Sequence, residues 1–499
     1  MPTPKLVVDI LSAKALNVSS SGVHNFQLHT LFRNQVVRSD IVRCVGSTEA
    51  IFNFSCEFSF ESTTAAVTLS SLLHIESPVL VYITTETDIS DERNCVGLRT
   101  VRSLVAASVI DFRYSLMHSQ DYISVELLPC ELDGIHMGVS AGLLFARLQL
   151  TDLPLTVDIN SKPQHEIEDI IFDFQAKVAD ENRSLYHTAR VWWQEAVQAH
   201  PHVSNRVFKI IAEDELGYHR SVCSLVAPIP PHRSLAGPRF AARFVSLLPF
   251  RRDIGLTGGR VETWRSAHAM LSRLQGDVED HALLLCSLLL GWGLDAWVVL
   301  GTVSASDSSS APQSGTGGGE QRPYCWVATF DGHDEHNQPR VTFWESISGK
   351  QYDLSEYVAS DSPEETAPPP SHIFSEVHVM FRHDAFALNI QEVCTVAGSC
   401  SAPKYLQRMK RFMSFDMSDE QNFMFFPKHA IHKSLRHPGV TPSLGLCARF
   451  DAHQLEMQLE DRLREFIAAQ RLRSDLFSVI DEGLSVALQV TLLYCAPPI

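Results

Sequence analysis

From Ala282 to Leu290 the chain holds only leucine, alanine, cysteine and serine. With the preceding Val278-Glu279-Asp280-His281 this makes an expected helix over 278–290, and a helix apolar around its whole circumference has to be buried on every side. It falls short of the ~20 apolar residues that cross a bilayer, and no other stretch of the sequence reaches that length. The chain must therefore wrap further layers around this one segment. Asp277 stands where an N-cap satisfies the free N–H groups of a first turn, and the glycines at 291 and 293 end the helix. Helices are expected before it over 239–249 and 262–274. Strands are expected after it over 296–303, 325–330 and 341–346. Together they define an α+β module, expected to occupy 206–357.

The first part of the chain has another rhythm. Strand-like runs over 5–11, 26–32, 51–60, 79–84, 103–112, 122–128 and 141–150 are separated by polar turns and predict a β-sandwich over 1–155. Its order resembles a C2 domain, with 79–110 in the place of a strand, the third loop and the following strand. Calcium-binding C2 domains need carboxylates from two loops, because the cation takes six to eight oxygens. Here the loop 15–22 has none, and only Glu86, Asp88, Asp91 and Glu92 stand in the other. A C2-like domain without calcium is expected. Between the two units, 160–205 reads as one long helix with an apolar stripe through Ile167, Ile171, Phe174, Val178, Leu185, Ala189 and Trp192. Trp192 and Trp193 are expected to anchor it to the second module. A Ser/Gly-rich surface insertion is expected over 304–321 and a Pro-rich loop over 360–371. A C-terminal α/β region over 372–499, with a helix at 452–476, is expected to follow.

Composition narrows the function classes. A formal net charge of −17 and a pI near 5.7 disfavour a general electrostatic grip on nucleic acid or anionic lipid, both polyanions. The basic cluster Lys404, Arg408, Lys410, Arg411 reads as a solvated helix face. The 11 cysteines form no CxxC pair, and the 22 histidines no HExxH. Reduced thiols in a cytosolic protein, with no metal and no cofactor, are expected.

The module around the apolar helix has the layout of a cysteine-nucleophile site. A residue at a helix N-terminus has its thiol pKa lowered by the free N–H groups and the dipole, and two following strands bring a base and an orienting carboxylate. This is the order of transglutaminase-like folds. The segments Gly276-Asp277-Val278-Glu279-Asp280-His281-Ala282 and Leu284 to Gly291, Gly301-Thr302, Pro323-Tyr324-Cys325-Trp326-Val327 and Thr342-Phe343-Trp344-Glu345-Ser346 resemble the 76-kDa centrosomal protein family. Trp192-Trp193, Ile210 to Glu215, Val222-Cys223-Ser224, Ala242 to Val245 and, downstream, Glu456 to Leu459 fit as well. That family carries a further N-terminal helical segment and a last region that this sequence does not contain.

The resemblance implies a C2 domain followed by a transglutaminase-like pseudoenzyme. The nucleophile place falls on Val278, the base place on Tyr324 and the acid place on Glu345. Valine has no nucleophilic atom, and a tyrosine of ordinary pKa about 10 is a poor base at neutral pH. The catalytic set is thus read as degenerate, leaving a candidate peptide-binding cleft of Val278, His281, Tyr324, Trp326, Trp344 and Glu345. By the same resemblance the chain is expected to be a scaffold of the cytoplasm and cytoskeleton, at the centrosome, centriole and basal body. It is expected to limit centriole reduplication and to bind centriolar proteins, with peptide tails in the cleft and no nucleic acid. Membrane binding is not expected. Two alternatives stay open: a C2-driven membrane or cilium adaptor, and an active thiol hydrolase or transferase using Cys286 or Cys325.

Overall fold

The computed structural model describes residues 4–434 except 15, 17–22, 34, 61–67, 90–98, 117–121, 131–139, 154–163, 232–234, 252–262, 305–320, 334–338, 355–372, 393 and 397–419. The interior of the insertion, the Pro-rich loop, the basic cluster at 404–411, the helix at 452–476, the Glu456–Leu459 match, Asp91 and Glu92 all lie outside the described residues.

Alternation of apolar and polar side chains builds the first unit. Strands β1 (Lys5–Lys14), β5 (Ala50–Ser59), β8 (Ile123–Pro129) and β9 (Gly142–Thr151) form one antiparallel sheet in the order β8-β9-β1-β5. A second sheet runs β2 (Val23–Phe32), β6 (Val79–Ile89), β7 (Arg99–Ile110), with the short β3 (Gln35–Arg38) and β4 (Val42–Val45) both paired to β2. The sheets join where β7 meets β8, at Ala106 opposite Pro129 and Ala107 opposite Leu128. Every second residue of β1, Leu6, Val8 and Ile10, points into the shared core with Leu144, Ala146 and Leu148 of β9, as period-2 strands require. Phe32, Phe58, Phe60 and Phe112 close it as an aromatic cluster with centroids 5.4 to 5.9 Å apart. Helix α1 (Leu69–Leu73), capped by Thr68, covers one end.

Helix α2 (Gln164–Ala199) follows. Its first turns send Ile167 and Ile171 into the sandwich core, and its last turns send Leu185, Ala189, Trp192 and Ala196 into the core of the second unit. Trp192 donates from Nε1 to the carbonyl of Phe425 at 3.2 Å, and Trp193 stacks on Phe208 at 4.1 Å.

The second unit begins with the hairpin β10 (Ile211–Glu213) and β11 (His219–Ser221) and helices α3 (Pro238–Leu247), α4 (Ala267–Arg273) and α5 (Val278–Gly291). Its sheet is built of β12 (Asp295–Ser304), β13 (Gln321–His333), β14 (Pro339–Glu345), β15 (Lys350–Asp353), β16 (Phe374–Arg382), β17 (Ala385–Asn389) and β18 (Phe423–Phe425). The strand order is β15-β14-β13-β12-β16-β17-β18, antiparallel throughout. Helix α5 lies on one face, against β12 and β13, with α3 and α4 beside it. The other face carries a separate cluster around Trp326, Phe343 and Phe374. Helix α6 (Lys428–Ser434) packs on α2.

Two expectations need correction. The sheet does not end near 357: β16, β17 and β18 complete it, so the region expected to start apart at 372 supplies three of its seven strands. The helix expected from 262 starts only at Ala267, because Trp264 is still extended, its N–H donating to the carbonyl of Glu213, and Ser266 is the N-cap.

The units meet along the outer face of the second sheet of the sandwich. Leu31, Leu80, Tyr82, Leu104 and Ala107 pack on Ala269 of α4. Tyr82 donates its hydroxyl to Glu215 at 2.7 Å, Glu215 also accepts from the N–H of Ser266 at 3.0 Å, and Gln275 donates to the carbonyl of Arg102.

Candidate functional site

Val278, the residue expected at the nucleophile place, lies in the first turn of α5. Asp277 accepts from the N–H of Asp280 at 3.0 Å while the Asp280 carboxylate faces the N–H of Asp277 at 3.4 Å, a reciprocal cap. Asp280 is also held by Arg265, through its backbone N–H at 2.9 Å and its guanidinium at 3.0 Å, and both side chains are buried. Gly276 allows this closeness, since a Cβ there would stand 2.7 Å from that of Asp280. Burial, then the neighbouring Asp280 and Glu279, push the Asp277 carboxyl well above the ordinary carboxylate range. Val278 is half-buried and packs on the α5 core. Three acidic side chains therefore surround the helix end that, in a thiol enzyme, would favour a thiolate.

His281 is fully buried, and both of its ring nitrogens face backbone carbonyls, Asp277 at 2.5 Å and Leu248 at 3.1 Å. The imidazole is spent on tying α5 to the chain that follows α3.

Tyr324 and Glu345 are brought together: the tyrosine hydroxyl donates to the carboxylate at 2.7 Å. Burial, then Glu345, push the Tyr324 hydroxyl far above its usual pKa, so it stays protonated and acts as a donor. Glu345 also accepts from the N–H groups of Ile347 at 3.2 Å and Ser348 at 2.7 Å. Its carboxylate braces the β14–β15 turn, which closes through Gly349 at φ +69°.

The other aromatic residues separate by strand alternation. Trp326 is completely buried on the sheet face away from α5, 4.8 Å from Phe374 and 5.6 Å from Phe343. Trp344 lies on the α5 face and donates from Nε1 to Thr329 Oγ1 at 3.0 Å. The six residues expected to line a cleft thus divide between two sides of the sheet, with Val278 and Tyr324 the two that keep partial exposure. Cys325, opposite in direction to Tyr324, and Cys286 are both fully buried in the α5 core, and burial pushes the Cys286 thiol far up.

A second cluster lies across β16. Among the described residues, Glu376, His378 and Cys394 form the one group whose donor atoms all fall within 4.8 Å of one another. His378 Nδ1 accepts from the N–H of Val207 at 3.0 Å, and Nε2 stands 3.1 Å from Glu376. A metal on Nε2 needs a neutral ring with its proton on Nδ1, where Val207 already donates. As placed, the group is a hydrogen-bonded brace between 207 and β16. Burial pushes the Cys394 thiol up to about 11. Sequence reasoning missed this cluster, because Cys394 reaches it only where 394–396 folds back onto β16, with Val377 donating to the Cys394 carbonyl and Val396 to that of Ser375. In the sandwich, Glu86, one of the expected calcium-loop carboxylates, is already paired with Arg102.

The CEP76 C2 domain family model matches residues 7–155, and the CEP76 peptidase-like domain model matches 262–401. The centrosomal protein of 76 kDa from Homo sapiens is 32% identical over 479 residues, or 94% of this chain, and that from Mus musculus matches to the same extent. The Danio rerio protein is 32% identical over 483 residues. The chain spans 65% of the length of the human and mouse proteins and 64% of the Danio rerio one. Among solved structures, a C2 domain-containing protein from a putative elicitor-responsive gene matches 30% of the chain and 88% of its own length at 13% identity, with a TM-score of 0.19 too low to carry an argument. Two domain models named for one protein, and 32% identity over 94% of the chain, place this chain in the family of the centrosomal protein of 76 kDa.

Proposed function

We propose that the chain is a non-catalytic scaffold of the centrosome and centriole, which binds centriolar proteins and takes part in limiting centriole reduplication. The observation that carries the non-catalytic reading is Val278 at the place of a nucleophile, on a helix end already crowded by Asp277, Glu279 and Asp280. Tyr324 supports it as a locked donor to Glu345. So does the burial of Cys286 and Cys325, which leaves no thiol of the module's core open to a substrate. Of the residues expected to line a peptide-binding cleft, Val278 and Tyr324 keep partial exposure and would be the ones to meet a peptide tail, while Trp326 and Trp344 face opposite sides of the sheet and frame no common groove.

The test has two parts. A tagged copy in dividing cells is followed beside a centriole marker, and accumulation there is expected; a diffuse or membrane signal removes the centrosomal reading. The purified chain is treated with a thiol-directed activity probe. No cysteine is expected to react faster in the folded than in the denatured protein. One cysteine labelled only in the folded state would overturn the non-catalytic reading.

A further inference from the structure

Helix α2 is seated in a core at each end and spans the gap between them, where Lys177 pairs with Glu76 and Arg113 lies over Phe174. Between Ile171 in one core and Leu185 in the other, its inward residues Phe174, Val178 and Asn182 roof a cavity of about 900 Å³. The floor is the outer face of the sandwich, with Leu80 and its cross-strand partner Val109, and the far wall comes from the second unit, with Leu225 and Ala267. Protein interiors leave few voids larger than a water molecule, whereas ligand pockets run to roughly 300–1,000 Å³ and favour junctions between domains. Two partly exposed tyrosines belong to the lining, Tyr114 at 37% and Tyr218 at 48% exposure. Exposed aromatic side chains are enriched at protein interfaces.

The charge of the lining narrows the partner. It holds five carboxylates, from Glu76, Asp111, Glu126, Asp214 and Glu215, against the guanidinium of Arg220 and the imidazole of His268. Four of the five are engaged within the chain: Asp111 by Arg113, Asp214 by Arg220, Glu76 by Lys177, and Glu215 by Tyr82 and Ser266. Glu126, exposed on β8, forms no ion pair among the described residues. An apolar chamber beside an uncommitted carboxylate repels fatty acids, phospholipids and nucleotides and suits an apolar side chain next to a cation.

We propose that the chamber under α2 is a second protein-binding site, which takes the bulky apolar side chain of a partner's linear peptide with a lysine or arginine beside it. The site is separate from the Val278–Tyr324 surface and does not depend on the reading given to that surface.

The test selects from a displayed library of random 16-residue peptides on the full chain. The winners are resynthesised with a fluorophore and titrated by anisotropy. The expected winners carry an aromatic or leucine anchor next to a basic residue. Val178→Trp, which fills the chamber from the roof, is expected to weaken them at least tenfold. Glu126→Lys is expected to weaken them about fivefold, most strongly at low salt, and Tyr324→Ala to leave them unchanged. Glu126 is exposed, so its variant remains informative if Val178→Trp folds poorly. The proposal is overturned if no sequence is enriched, or if the winners bind Val178→Trp and Glu126→Lys as tightly as the native chain. It is equally overturned if the winners are lost with Tyr324→Ala, which would assign them to the other surface.

Discussion

Asp277 caps α5 and is crowded by two further acids, and the two roles pull in opposite directions. The carboxyl binds its proton more tightly in the folded chain than at its unfolded value near 3.9, so folding loses stability as pH rises from about 4 toward the raised value. Asn caps as well as Asp and has no proton to lose. Asp277→Asn is therefore expected to match the native chain near pH 4. It should exceed it by about 1 kcal/mol or more at neutral pH, since each tenfold tightening of the hold on a proton is worth about 1.4 kcal/mol. Melting curves across that range decide it, and parallel pH profiles for the two proteins would refute it. The cap itself was legible in the sequence, because capping is decided within four residues. The ion pair of Asp280 with Arg265 was not, since nothing local links positions 15 apart. The same holds for Glu345: the aligned motif marks it as an orienting acid, while its actual bonds go to a tyrosine and to two N–H groups of its own turn.

At the scale of elements, the buried helix was the most secure reading, and its C-terminal end shows why. The carbonyl of Ile229 passes so close to Gly291 that a Cβ there would overlap it, and Ile229 in turn donates its N–H to the carbonyl of Ser287. Gly291→Ala is expected to cost at least about 3 kcal/mol, the upper end of the overpacking range, because the obstacle is backbone and cannot swing aside. Urea unfolding measures it; a loss below about 1 kcal/mol would show that the 222–230 segment moves freely. Strands with long apolar runs were read correctly in place. The short β3 and β4 were missed, as four-residue edge strands leave almost no periodicity to count. The start of α4 was misplaced because a backbone bond to Glu213, remote in sequence, holds Trp264 extended. Membership of β16 to β18 in the main sheet is a matter of long-range pairing, which composition does not encode.

For the molecule as a whole, the joint between the units rests on a polar contact inside an apolar one. Tyr82, buried against α4, sends its hydroxyl to Glu215, and burial and that carboxylate push the hydroxyl well above its usual pKa. Tyr82→Phe keeps the packing and removes a hydrogen bond to a charged acceptor, an expected loss of about 1.5–3 kcal/mol in the denaturation of the full chain. An unchanged midpoint would mean that the units are held by apolar contact alone. Where this face packs on α4 it is covered by the second unit, and beyond that contact, under α2, it opens onto the chamber.

Helix α2 is seated at both ends in separate cores, and the helix turns about 100° and rises about 1.5 Å with each residue. One residue added or removed between Ile171 and Leu185 would leave one end facing its core and rotate the other onto solvent. Substitutions in this stretch can keep that phase, whereas a change in its count cannot. The spacing of the two domains is thus a phase as much as a distance.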